Sequence, residues 1–385
     1  MHERFHAHLS VALAALVALA FAAVGVHPAP PQAQARDEAD WARIQAPVAL
    51  SLPRDHGSHP KVRTEWWYLT GLVRDEDGRR HGLQATIFRQ GLDPRPAAPG
   101  DESLRARQAW AAHVAWLDVA EGKLRHVERV RREGLDLARG STSMLDAKVD
   151  DVSLTMDEGG AIHVKAGARE EGYELVLVCS PTRPWTRHGG DGTSKKGPEP
   201  GNASMYLSAT RLATTGVLRR LRPDGSWSET KLSGECWFDH EWGSSQLGEG
   251  VVGWDWLGLR LADGRDLMLY RLRTKDGGVL AQSSGTLVHP DGRLVHLSRG
   301  DFAIEELEHW TSPRTKGRWP VRLSISVPAH AVAMEATALA PDCELDGRAS
   351  TGTIYWEGPV VLQGGVQGEG YLEVTGRAGS LEARF

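Results

Sequence analysis

Stretches that alternate apolar and polar residues are cut by short turns rich in Asp and Gly, and that pattern confines most of this chain to antiparallel β structure. Asp75-Glu76-Asp77-Gly78, Pro223-Asp224-Gly225, Ala262-Asp263-Gly264 and Pro290-Asp291-Gly292 are the clearest turns. Asp-Gly supplies the positive φ that a tight hairpin needs. Between the turns, side chains that alternate faces read as strands, and apolar residues at helical spacing are scarce. The expected class is all-β, with many short strands closing into barrels or sandwiches.

The first 35 residues read differently. Arg4 precedes an apolar run over 9–26, followed by His27-Pro28-Ala29-Pro30-Pro31 and then Gln32-Ala33-Gln34-Ala35. A helix cannot continue through those prolines, and the small residues suit a cleavage site, so 1–35 is expected to be an export signal. The expected location is the periplasm or cell envelope. Residues 36–60 form a Pro-punctuated lead-in. The rest is long for one ordinary domain and is expected to divide into 61–228 and 229–385. A weak internal repeat supports the division. Trp66-Trp67-Tyr68 with its following turn parallels Trp254-Asp255-Trp256, and Met205-Tyr206-Leu207 parallels Gly370-Tyr371-Leu372.

A net charge of −5 with no basic stripe argues against nucleic acid as a partner. Cys179, Cys236 and Cys343 are widely spaced, form no C-x-x-C and read as buried thiols. His56 and His59 with Asp55, Asp239 or Glu241 have the chemistry of metal ligands, but their Gly-Pro loop closes no coordination set. No metal and no cofactor are therefore expected. No G-x-S-x-G elbow occurs for a serine hydrolase.

Residues 234–273 hold the densest chemistry: Trp237, Trp242, Trp254 and Trp256 beside Asp239, His240, Glu241 and Asp255. These tryptophans could simply fill a barrel core, but the acids set between them suggest a lined cavity. The D-H-E-W and W-D-W segments are expected to be strand neighbours that place Asp239, His240, Trp242, Trp254, Asp255 and Trp256 around one cavity in the second half. Trp66, Trp67 and Trp237 join the expected ligand-binding walls. In a dry cavity a neutral carboxylic acid, Asp239 or Asp255, could protonate an alkene. Indoles would steady the cation, and His240 would take a proton from the attacking water. Glu65 and Arg63 are expected to pair across a barrel rim, and Arg89 and Arg271 to plug the barrels with buried ion pairs.

Asp55-His56-Gly57-Ser58-His59-Pro60 leading into Arg63-Thr64-Glu65-Trp66-Trp67-Tyr68, then Asp239-His240-Glu241-Trp242-Gly243, Gly253-Trp254-Asp255-Trp256 and Tyr355-Trp356-Glu357-Gly358, resembles the AttH-like family, which includes carotenoid 1,2-hydratases. The resemblance implies two tandem lipocalin-like β-barrel domains and an apolar ligand. It also implies roles for His240, Trp242 and Tyr270. Where the hydratases carry an aspartate, this chain has Leu272. The expected function is an exported protein that binds a lipid or isoprenoid in a Trp-lined cavity, with a membrane export system as a candidate partner. The alternatives are a cofactor-independent hydratase-like lyase using Asp239, His240, Asp255 and Tyr270, or a secreted hydrolase.

Overall fold

A computed structural model describes residues 41–95, 106–244, 247 and 250–379. The expected export signal and the first part of the lead-in lie outside the described residues. Among the described residues the chain forms two antiparallel sheets, of 13 and 10 strands, each curled into a barrel-like layer as expected for tandem lipocalin-like domains. Helix among the described residues is confined to 3-10 turns such as Arg54–His56.

At the centre of the first sheet, Thr64–Asp75 pairs with Arg80–Gly91 on one side and with Trp227–Gly243 on the other. The Asp75-to-Gly78 turn closes through a 2.9 Å backbone bond with Gly78 at φ 78°. Trp227–Gly243 pairs on with Ala203–Leu221, whose register is shifted between Ala209 and Leu212. In the second sheet, Val251–Leu261 lies between Asp266–Thr274 and Gly368–Thr375.

Alternation sorts the apolar interior of the described residues into clusters, of which three matter for the site. Trp67, Leu69, Ile87, Trp110, Val114 and Phe238 pack inside the first sheet. Leu257, Leu259, Leu269, Trp319, Ile325 and Trp356 pack inside the second. Tyr68, Tyr206, Trp237, Trp256, Tyr270 and Tyr371 form a third cluster, where the outer faces of the two sheets meet. Cys179, Cys236 and Cys343 are buried free thiols.

Two expectations are corrected. The strand carrying D-H-E-W does not neighbour W-D-W. Asp239 stands opposite Tyr68 and Ser208 in the first sheet, whereas Trp256 stands opposite Tyr270 and Glu373 in the second. Consequently the chain changes sheet between Gly243 and Val251, and the boundary drawn at 228/229 falls within a strand of the first sheet. The Pro223-Asp224-Gly225 turn is a hairpin within one sheet. Short sequence separation favours pairing only when nothing better is in reach, and the Thr64–Asp75 strand offers this one a partner along twelve residues.

A buried clamp ties the sheets together. Asp266 of the second sheet accepts from Thr210 Oγ1 (2.8 Å), Arg211 Nε (2.7 Å) and Arg183 Nη1 (2.8 Å). The segment 181–202, a long loop by sequence, is laid on the first sheet by two short bridges, Thr186–Arg187 and Ser194–Lys195. It folds tightly at Gly189, where φ is 93° and a Cβ would sit 1.8 Å from the Thr193 carbonyl oxygen.

Candidate functional site

Consecutive residues of the Trp227–Gly243 strand serve two separate compartments. Trp237, Asp239 and Glu241 point to the space between the sheets, whereas Phe238, His240 and Trp242 point the other way.

On the His240 side, Glu65 is the hub of a buried polar cluster. It accepts from Arg89 Nε (2.8 Å), His59 Nδ1 (2.8 Å), His240 Nε2 (2.9 Å), the His59 backbone N–H (2.9 Å) and Ser58 Oγ (3.1 Å). Burial alone would raise its pKa, but Arg89, His240 and His59 bring it well below the ordinary value. Burial pushes His240 down to about 4, against the pull of Glu65, so the imidazole is neutral near pH 7. Its ring stacks on Trp67 at 4.9 Å, and His59 stacks on Trp242 at 3.9 Å. Arg89 pairs with Glu65, and both side chains are fully buried, as expected of a plug; the partner is Glu65, which had been expected to pair with Arg63. His59, Glu65 and His240 offer ligand atoms within 4.8 Å of one another, a spacing suited to a metal ion. Glu65 is already filled by five donors, one of them the Arg89 cation, so a metal would have to displace charge-matched partners.

On the Asp239 side lies a cavity of about 260 Å³ between the sheets. Its walls include Trp66, Trp254, Trp256, Tyr206 and Tyr270, with Asp239, Glu241, Lys196, Glu357 and Glu373 among them. Asp239 accepts from Trp237 Nε1 (2.6 Å), Tyr206 Oη (2.8 Å) and the Ser208 hydroxyl. Burial outweighs these three donors, and with Glu241 nearby it raises Asp239 to about 7. Glu373 accepts from Trp254 Nε1 at 3.0 Å and is likewise raised by burial to about 7, with Asp239 contributing. Burial also holds Glu357 well above the carboxylate range, beside the Tyr68 hydroxyl that donates to it. Lys196 Nζ lies 3.0 Å from Glu241 and 4.0 Å from the Tyr270 ring centroid. Burial favours its neutral form, but Glu241 and the surrounding groups raise its pKa, so it is a cation.

The expected single cavity is therefore divided among three places. Trp66, Trp254, Trp256, Tyr270 and Asp239 line the space between the sheets, with Trp237 packed edge-on against Trp256 at 6.1 Å. His240, Trp67 and Trp242 lie on the opposite face of the first sheet, so His240 is not on the same side as Asp239. Asp255 lies in neither compartment. It is fixed by Arg271 Nε (2.5 Å) and Arg273 Nε (3.1 Å), which is the ion-pair plug expected for Arg271. Leu272 lines the cavity. Tyr206, Lys196, Glu357 and Glu373 carry chemistry that sequence reasoning did not assign. The available signal was a carboxylate alternating with aromatics inside an apolar strand, as in Tyr371-Leu372-Glu373 and Tyr355-Trp356-Glu357.

Two curled β sheets enclosing an aromatic, acid-bearing cavity define a protein of the tandem lipocalin-like class. The AttH-like family profile matches residues 43–377, and the chain belongs to that family. A solved AttH structure from Nitrosomonas europaea is 32% identical, with a TM-score of 0.78 over 87% of this chain and 99% of that one. Kievitone hydratase from Nectria haematococca shares the fold at 12% identity and a TM-score of 0.65, over 87% of this chain and 96% of that one. A comparison with functionally curated proteins gives no match.

Proposed function

We propose that this protein binds an apolar small molecule, a lipid or isoprenoid, in the cavity between its two sheets. The observation that carries this reading is the cavity wall itself: indole and phenol rings from both sheets with a few converging polar groups, the composition of small-molecule sites. The test is extraction of the purified protein with organic solvent and mass spectrometry of the extract. An apolar compound should be recovered from the wild type and depleted from W256A. An empty protein that also fails to bind a fluorescent fatty acid would overturn the reading.

A second reading, addition or removal of water on that ligand, is favoured by Asp239 and Glu373. Two interacting carboxyls that both titrate near 7 provide one acid and one base at neutral pH. The protonated member would give its proton to an alkene carbon, forming C–H and leaving a cation beside the indoles. Water would form the C–O bond and pass its spare proton to the ionised member. Sharing a fold with a hydratase is consistent with this chemistry, which in this chain would need neither His240 nor Asp255. Export to the periplasm or envelope remains part of the proposal, on the strength of the 1–35 sequence.

A further inference from the structure

A second polar chain reaches the cavity from its border, outside the Asp239 and Glu65 clusters. Tyr355 and Ser350 both line the cavity, and the Tyr355 hydroxyl lies 2.6 Å from His113 Nδ1. His113 Nε2 lies 2.7 Å from Ser350 Oγ, and the Ser350 hydroxyl donates to Glu128. Tyr355 and Ser350 belong to the second sheet and its connections, whereas His113 and Glu128 stand opposite each other on adjacent strands of the first. Tyr355 and His113 are buried, and the Glu128 side chain is 23% exposed.

We propose that Glu128, Ser350, His113 and Tyr355 form a proton relay between solvent and the cavity, ending at Tyr355. The inference rests on the reading of the cavity as a site of proton transfer. In that reaction the two carboxyls finish each turnover with their protonation states exchanged, and a fixed relay in the cavity wall would give them a route, besides water at the cavity mouth, by which to reset.

The hydrogen bonds run in one direction. Tyr355 donates to Nδ1, Nε2–H donates to Ser350, and Ser350 donates to the Glu128 carboxylate. When the proton of each group moves one place along, Glu128 gains a proton and Tyr355 takes one from the cavity, so that every intermediate group ends with as many protons as it began. A neutral imidazole suits the middle position because one nitrogen accepts while the other donates. Burial, assisted by His126 standing edge-on at 5.5 Å, keeps His113 in that neutral form. Asp346 and Ser350 act on Glu128 at the outer end. Glu357 and Glu373 act on Tyr355 at the inner end, which puts the relay within electrostatic reach of the carboxyls it would serve.

The test uses the full chain without ligand. Tyrosine labelled with 13C at Cζ reports O–H and O–D forms separately in an equal mixture of H2O and D2O, and Y355F identifies the signal of Tyr355. The relay requires exchange to be slower by about tenfold or more in S350A, where only water entering the cavity mouth is left to carry it, and to return towards the wild-type rate in S350T. If these bonds only tie the sheets together, S350A loosens the contact and exchange stays the same or becomes faster, which overturns the proposal. E128Q, at the partly exposed outer end, must slow exchange as well, and an unchanged rate there also overturns it. Because no turnover is measured, a protein that relays protons but performs no hydration is distinguished from one without a relay.

Discussion

The Trp256 indole N–H donates to the Tyr206 hydroxyl at 2.8 Å, and Tyr206 donates in turn to Asp239 at 2.8 Å. A side chain of the second sheet thereby helps set the environment of an acid on the first. The cavity's chemistry exists only where the sheets meet, which is why neither half of the sequence displays it alone.

Asp239 gives the sharpest pH signature. Its folded-state pKa of about 7 lies above the ordinary value of an unfolded aspartate, so the folded chain binds the extra proton between about pH 4 and pH 7. The stability contributed by the neutral acid is fully present below that window and is lost as pH rises through it. D239N should remove this slope, and urea titrations of both proteins from pH 4 to pH 8 should converge with rising pH, apart from a constant offset. Parallel curves would show that Asp239 titrates normally.

Glu65 carries a different burden. E65A leaves the Arg89 guanidinium buried without its counter-charge, and breaking such a pair costs about 3–5 kcal/mol. Chemical denaturation should show a loss of that order, with the far-ultraviolet β signal retained below the midpoint. A loss below about 1 kcal/mol would mean that water reaches the cluster.

Asp255 and Asp239 should separate cleanly. D255N disturbs the contacts to Arg271 and Arg273 and should lower the melting temperature, yet leave the amount of co-extracted ligand unchanged. Equal loss of ligand in D255N would put Asp255 back in the binding site.

Gly258 lies under the aromatic wall. An added Cβ would meet Trp256 Cη2 at 2.6 Å and Trp237 Cδ2 at 3.1 Å, so G258A must push the Trp256 ring. We expect a cost of about 1–3 kcal/mol, as for other overpacked sites, with a shift in tryptophan emission and reduced ligand capacity. Unchanged emission and capacity would show that the wall has slack.

Much of the fold was legible in the sequence because its signals are local. Ala262-Asp263-Gly264 makes its hairpin, the Asp75-to-Gly78 turn joins two paired strands, and Arg89 and Arg271 find buried acids. The composition of the cavity was partly legible too, in Asp239, Trp254, Trp256 and Tyr270. Its membership was not, because the face a side chain occupies matters only once the strand's partner is known. One partner of the Asp239 strand is its hairpin neighbour across Pro223-Asp224-Gly225, but the other starts at Thr64, far back in the chain, and no local signal marks that pairing. Lys196 was hidden for a related reason, since its segment reads as an ordinary polar loop until the sheet beneath it is known.

The alternation of faces along the Trp227–Gly243 strand also guards against misfolding. Sliding the Trp227–Gly243 strand by one residue along its neighbours would reverse its faces, turning Asp239 and Glu241 inward towards Glu65 and sending His240 into the cavity. Three carboxylates would then share a dry space with the single guanidinium of Arg89, and all but one would have to be neutralised or left unpaired. Electrostatic self-exclusion would thus reject the slipped alignment, and the same acids that equip the cavity would proofread the assembly of the strand that carries them.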